Sequence, residues 1–274
     1  PDELGAAALS GLIGGFPTGA RTLSSLVERR ALDPNDAARM LHFSINPGPG
    51  FVVTAVGGMM FHSAALGGVL LGAQLLSSLL VGAFVMRRGA PVRCRAGAPM
   101  DAAEALVAGV SGACSGMLTV CSWVLLFSAA SALVSPMLGG GRLAAVFSGA
   151  LEVTTGCALA AALGGRSGVL LAAFLLSFSG LSVLCQVFSL VRSVGICPRG
   201  LLLSRICAGA LSSGITALLL GLLPIELPVF AAAAAPIAVC SVNRLLGGLC
   251  LTAMTAMVLC HQVWNRISPF SNHN

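Results

Sequence analysis

The chain is 274 residues long, 57% hydrophobic and 9% charged, with a formal net charge of +6. Soluble domains carry roughly 25% charged residues, so this composition excludes an ordinary water-soluble globular protein and marks an integral membrane one. All fifteen basic residues are Arg, placed without aromatic interleaving, which suits orientation in a bilayer and argues against nucleic-acid binding.

Ten Cys residues (94, 114, 121, 157, 185, 197, 207, 240, 250 and 260) contain no CxxC pair and mostly sit in apolar runs. They read as small packing residues and not as metal ligands or disulfide partners. The chain begins at Pro1, without a Met, and leads straight into apolar sequence. It is expected to be a fragment, and a signal peptide is neither confirmed nor excluded.

In chain order, residues 4 to 31 form two short arms around Pro17-Thr18-Gly19, within the cluster Gly14-Gly15-Phe16-Pro17-Thr18-Gly19-Ala20. Each arm is well under the roughly 20 residues a helix needs to cross the hydrocarbon core, so the segment predicts a re-entrant hairpin. Asp33-Pro34 supplies an N-cap and first turn for a helix over 37–61. Asn46-Pro47-Gly48-Pro49-Gly50 interrupts that helix, because Gly and Pro leave backbone groups without intrahelical partners. A discontinuous spanning helix follows from this. Residues 64–86 run uncharged, a span on which Gly68 and Gly72 predict a close helix–helix approach. Between Ala102 and Leu138 only Glu104 is charged, a stretch too long for one pass. It is divided into an interfacial arm to about Ser115 and a span from about Met117.

The second half repeats the first. Ser10-Gly11 followed by Gly19 resembles Ser148-Gly149 followed by Gly156, Thr18-Gly19 matches Thr155-Gly156, and Phe43-Ser44 matches Phe178-Ser179. A second re-entrant hairpin is therefore predicted over 143–165. A second broken helix is predicted over 167–190, interrupted at Ser179-Gly180-Leu181-Ser182. An uncharged span follows over 206–223, then an Ala/Pro stretch over 227–242 and a final span over 245–264, ended by Trp264 and Arg266 at an interface. The organisation is a first repeat over 1–100, a connecting region over 101–140, a second repeat over 141–225 and a C-terminal segment over 226–274.

Arg placement tests the hairpins. If both are re-entrant, twelve Arg (21, 29, 30, 39, 87, 88, 93, 95, 192, 199, 205 and 266) share one side against three opposite (142, 166 and 244). If 143–165 crossed once, the split would be ten to five. The excess of positive charge on one side favours the first. The expected fold is an all-α, polytopic integral membrane protein of two inverted-topology repeats, each with a re-entrant helical hairpin and a broken spanning helix.

Irregular backbone at membrane depth is tolerated where it is buried in protein or lines a polar cavity, so the breaks are the candidate solute site. Four half-helix N-termini would converge there, near Gly19, Gly50, Gly156 and Ser182, with as many C-termini, so the geometry leaves the sign of the solute open. Candidate contacts are Thr18, Gly19, Ser44, Asn46, Gly48, Glu152, Thr154, Thr155, Ser179, Gly180, Ser182 and Gln186. Glu152 is an acid at membrane depth, which costs about 2.5 to 3.5 kcal/mol unless it faces water or a partner. It is either a solute or coupling-ion contact or proton carrier, or a residue that satisfies N–H groups at the hairpin tip. His42 and His62 flank the first broken helix and read as interfacial or packed side chains. No nucleophile–base pair, metal-spaced His/Cys cluster or phosphate loop is present, so no enzyme, metal or cofactor is expected.

Gly14-Gly15-Phe16-Pro17-Thr18-Gly19-Ala20, Phe43-Ser44 with Gly48-Pro49, Leu151-Glu152-Val153-Thr154-Thr155-Gly156, and Ser177-Phe178-Ser179-Gly180-Leu181-Ser182-Val183 with Gln186 carry a resemblance. Over roughly residues 1–225 the chain resembles the YlbJ-type sporulation integral membrane proteins, which hold two nucleoside-recognition Gate domains, the repeat also found in concentrative nucleoside transporters. Pro47 and Gly50 depart from that pattern, as does Leu184-Cys185 where a more polar pair is expected. The resemblance implies a multi-pass protein of the bacterial cell or forespore membrane. It implies a role in spore maturation and a part in moving dipicolinic acid, a small anionic solute, into the forespore. The alternatives are a nucleoside-type carrier and a non-transporting assembly protein of the sporulation membrane. The expected partners are a small polar solute, the lipid bilayer, a coupling ion or proton, and a second copy of the chain.

Overall fold

The computed structural model describes residue 5 and residues 9–12, 14–89, 92, 101–191 and 194–223. The protein is an all-α polytopic membrane protein, with no β-strand among the described residues. Four segments are long and apolar enough to cross a membrane: Ala64–Arg87, Leu106–Leu138, Gly165–Leu190 and Pro198–Leu222. The predicted span over 245–264, the Ala/Pro stretch over 227–242 and most of the Arg-rich loop near residue 95 lie outside the described residues.

The first hairpin pairs a helical arm at residues 9–12 with α1 (Phe16–Glu28). Its turn is at Gly14-Gly15, not at Pro17-Thr18-Gly19. Gly15 adopts φ 88°, a conformation suited to glycine. Pro17 lies inside the first helical turn, where its missing N–H leaves no bond unmade. The second hairpin pairs α5 (Gly141–Leu151) with α6 (Val153–Leu163), turning at the extended residue Glu152. Both hairpins close on glycine. A Cβ on Gly19 would stand 2.7 Å from the Gly11 Cα, and one on Gly156 would stand 2.8 Å from the Gly149 nitrogen. The glycine pairs matched in sequence are thus the places where the arms touch.

Each hairpin is followed by an interrupted helix. Asp33 caps α2 (Pro34–Ser44), its side chain accepting from the Asn35 N–H at 2.8 Å. Residues 45–48 are non-helical, and a π-helix runs over Gly50–Met60. In the second half α7 (Gly165–Phe178) and α8 (Gly180–Leu190) meet at Ser179 and Gly180, with φ 78° and 76°. The second break is narrower than predicted, because Leu181 and Ser182 already belong to α8.

The spans are α3 (Ala64–Arg87), α4 (Ala102–Val134) and α9 (Pro198–Leu222). The first matches its prediction. The second corrects the division of 101–140 into arm and span. It is one continuous helix, and a short 3₁₀ turn over Ser135–Leu138 ends it. No proline falls between Ala102 and Val134, and Gly109, Gly112 and Gly116 do not break a helix that keeps its backbone bonds. At roughly 1.5 Å per residue it is about 50 Å long, against a hydrocarbon core of about 30 Å. The third begins at Pro198, eight residues before the predicted 206. Gly68 and Gly72 also need correction, since nothing comes within 4 Å of a Cβ on either. The close approaches on α3 are at Gly67, against the π-helix, and at Gly82, against Phe43.

Leu23, Leu41, Ile45, Leu66, Leu70, Leu175, Leu176 and Leu201 are fully buried and come from both halves. Contacts between halves are reciprocal. Helix α1 of the first hairpin packs on α8 of the second broken helix, and α6 of the second hairpin packs on the π-helix of the first. The spans α3 and α9 pack on each other, α3 also touching α7 and α9 also touching α2.

Candidate functional site

The two breaks lie beside the two hairpin tips. Gly15, in the first tip, would bring a Cβ to 3.6 Å from the Gly48 nitrogen. Gly180, in the second break, would bring one to 3.2 Å from the Gly149 carbonyl and 3.3 Å from that of Leu151. Positive φ accounts for glycine at both points, 88° at Gly15 and 76° at Gly180, and at Gly180 the close backbone adds to it.

A helix that stops leaves its last carbonyls without N–H partners. At the first break side chains bond one of these carbonyls, that of Phe43, and also the carbonyls of Met40 one turn earlier and Pro47 in the break itself. Phe43 O accepts from Asn46 Nδ2 at 2.7 Å and from Ser78 Oγ at 2.7 Å, Met40 O accepts from Ser44 Oγ at 2.8 Å, and Pro47 O accepts from Gln74 Nε2 at 3.5 Å. At the second break the Ser179 N–H donates to Leu175 O at 2.8 Å. Arg205, on α9, reaches both breaks. Its Nη1 donates to His42 O at 3.5 Å, and its Nη2 donates to Ser177 O and, at 3.3 Å, to Ser179 Oγ. Beside it Ser204 Oγ donates to Leu201 O, so His42 donates its Nδ1–H to Ser204 Oγ at 2.7 Å.

Glu152 stands at the second tip and is 1% exposed. One carboxylate oxygen accepts from the Thr154 N–H at 2.8 Å, and the other accepts from the Thr155 N–H at 2.7 Å and Thr155 Oγ1 at 2.9 Å. Both oxygens serve the N-terminus of α6, where a negative charge is favoured.

The structure therefore gathers Gly19, Ser44, Asn46 and Gly48 at the first break, and Glu152, Thr155, Ser179 and Gly180 at the second. Ser182 and Gln186 follow on α8, with Gln186 Nε2 donating to Ser182 Oγ at 3.2 Å. Thr18 bonds back to Gly14 O at 2.7 Å and lines a cleft between α1 and α4. The Thr154 side chain is exposed and takes no part. His62 is exposed, at φ 53°.

Three buried amides are half satisfied. Asn46 Oδ1, Gln74 Oε1 and Gln186 Oε1 have no hydrogen-bond partner among the described residues, nor do the hydroxyls of Ser148 and Ser177. Buried acceptors without donors are uncommon and call for a bound group or water. Among the described residues no three His, Cys, Asp or Glu side chains stand together to hold a metal ion.

Sequence reading missed Gln74, Ser78 and Arg205. Gln74 is the sole amide in an otherwise uncharged span, and Arg205 was assigned to a loop. Pro198, which starts α9 at its first turn, was the available signal that Arg205 lies inside a helix.

Two mostly apolar clefts flank this centre. One, of about 490 Å³, separates α1 from α4 and is lined by Thr18, Arg21 and Gly112. The other, of about 520 Å³, lies between α3 and α9 beside His42 and Ser204.

Fold and site define a multi-pass helical membrane protein with polar groups buried at two helix breaks. No family model, curated protein or solved structure matches the chain.

Proposed function

We propose that the protein is a carrier of a small polar solute, bound where the two broken helices and the two hairpin tips meet. One observation carries this reading: fully buried polar side chains at the breaks keep acceptor atoms with no partner among the described residues. An apolar core gains nothing from such groups, whereas a polar solute passing through would satisfy them. The resemblance of the four motifs to YlbJ-type sporulation proteins supports the same reading and points to dipicolinate as the solute, carried across the forespore membrane.

A second solute has its own support. The unpartnered amide oxygens of Asn46, Gln74 and Gln186 are neutral acceptors, which suit a donor-bearing neutral solute of the nucleoside type, whereas the unpartnered Arg205 Nε is a cationic donor that suits an anion. Uptake of labelled dipicolinate and of nucleosides into liposomes holding the full chain separates the two. Uptake of either above empty vesicles supports a carrier, and the solute taken up decides between them. Uptake of neither overturns the reading and leaves an assembly protein of the sporulation membrane.

A further inference from the structure

Arg205 is the largest of the fully buried side chains, and among the described residues no carboxylate lies within ion-pair distance of it. A guanidinium at bilayer depth is costly unless something neutralises it. What faces its two Nη atoms is backbone together with the Ser179 hydroxyl, while its Nε has no partner among the described residues. His42 O belongs to the last turn of α2 and Ser177 O to the last turn of α7, the two half-helices that stop at the breaks. A helix C-terminus carries roughly half a negative elementary charge, so two such ends together balance about one guanidinium. The planar fork of Arg suits this, since one group donates to two acceptors on different helices, which the point charge of a Lys does less well.

We propose that Arg205 is a built-in cation that ties the C-terminal ends of the two broken helices together, occupying the position where two such ends would otherwise attract a free cation. It is a positioning residue, it links one half of the protein to the other, and the assignment holds whether or not the protein carries a solute. The Ser204–His42 hydrogen bond beside it anchors the same turn of α9 to α2.

The test uses the full chain in detergent. Wild-type protein should unfold at the same temperature in choline, sodium and millimolar guanidinium chloride at equal ionic strength. Arg205→Ala should lower that temperature by about 5 °C or more. Millimolar guanidinium should restore at least half of the loss, and choline none. Absence of rescue by guanidinium, or an unchanged midpoint, overturns the proposal. Should the alanine variant not fold, Arg205→Lys and Arg205→Gln decide. Lys keeps the charge and should be the more stable of the two, and a Gln variant equal to or better than Lys overturns the proposal. Hydrogen exchange gives a readout that simple loosening of α9 would not. In the weaker variant, exchange should rise at residues 42–48 and 177–182 together, and a rise confined to one break overturns the link between halves.

Discussion

Glu152 commits both carboxylate oxygens to the N-terminus of α6, and this alters what its substitution should do. Were only one oxygen used, Glu152→Gln would be nearly silent, since an amide keeps one acceptor. With both accepting N–H groups, Gln must turn its own NH₂ toward a backbone donor, losing a hydrogen bond in a buried place. Glu152→Gln should therefore destabilise the protein by about 1–3 kcal/mol, and Glu152→Leu, which loses both acceptors, should cost more. Thermal unfolding of the purified variants measures this. If Gln unfolds as wild type does while the pH dependence of solute uptake moves, Glu152 is a proton or solute contact and not a cap. At this scale the sequence marked the residue as an acid at depth but left its role open, because the role depends on where the helix starts. Arg205 shows the converse: its identity was visible, but its burial follows from the packing of α9 on α7 and α3, which residue type alone does not reveal.

At the scale of elements, Gly and Pro clusters marked the first hairpin and the first break, because backbone that cannot complete its bonds announces itself in composition, and the internal repeat carried both to the second half. Boundaries were less legible. Pro17 is a helix start and Gly14-Gly15 the turn, since proline at the first turn and glycine at positive φ look alike as cluster members. Which glycines serve packing depends on which face a neighbour covers, so Gly68 and Gly72 were chosen where Gly67 and Gly82 act. That contrast is testable. Gly156→Ala places a Cβ against the Gly149 backbone, which has no flexible end to move aside, and should cost about 1–3 kcal/mol. Gly68→Ala meets nothing within 4 Å and should be neutral or stabilise by about 0.5–1 kcal/mol, the helix preference of Ala over Gly. Unfolding midpoints of the two variants check both. Equal midpoints would mean that the hairpin does not close on this pair.

For the whole molecule, the inverted repeat belongs with the proposed function, and its support comes from two unrelated sides. The reciprocal contacts, α1 on α8 and α6 on the π-helix, are what a pseudo-twofold axis between halves produces. The Arg distribution supports it as well, after one correction: Arg205 is buried in α9 and leaves the loop count, so the bias is eleven against three. A single crossing of 143–165 would then give ten against four, so the bias still favours re-entrant hairpins. Re-entrant hairpins require that the regions after α3 and before α9 share one face of the membrane, with the turn between α4 and α5 on the other. Single Cys residues at positions 90, 140 and 197 in a Cys-free background, labelled from each side of sealed vesicles, read this directly. Positions 90 and 197 should label from one side and 140 from the opposite one. Cys197 is already exposed, so its accessibility needs no rearrangement. Labelling of 90 and 197 from opposite faces would make the second hairpin a true crossing, run the two broken helices in the same direction and remove the shared centre on which the solute site depends.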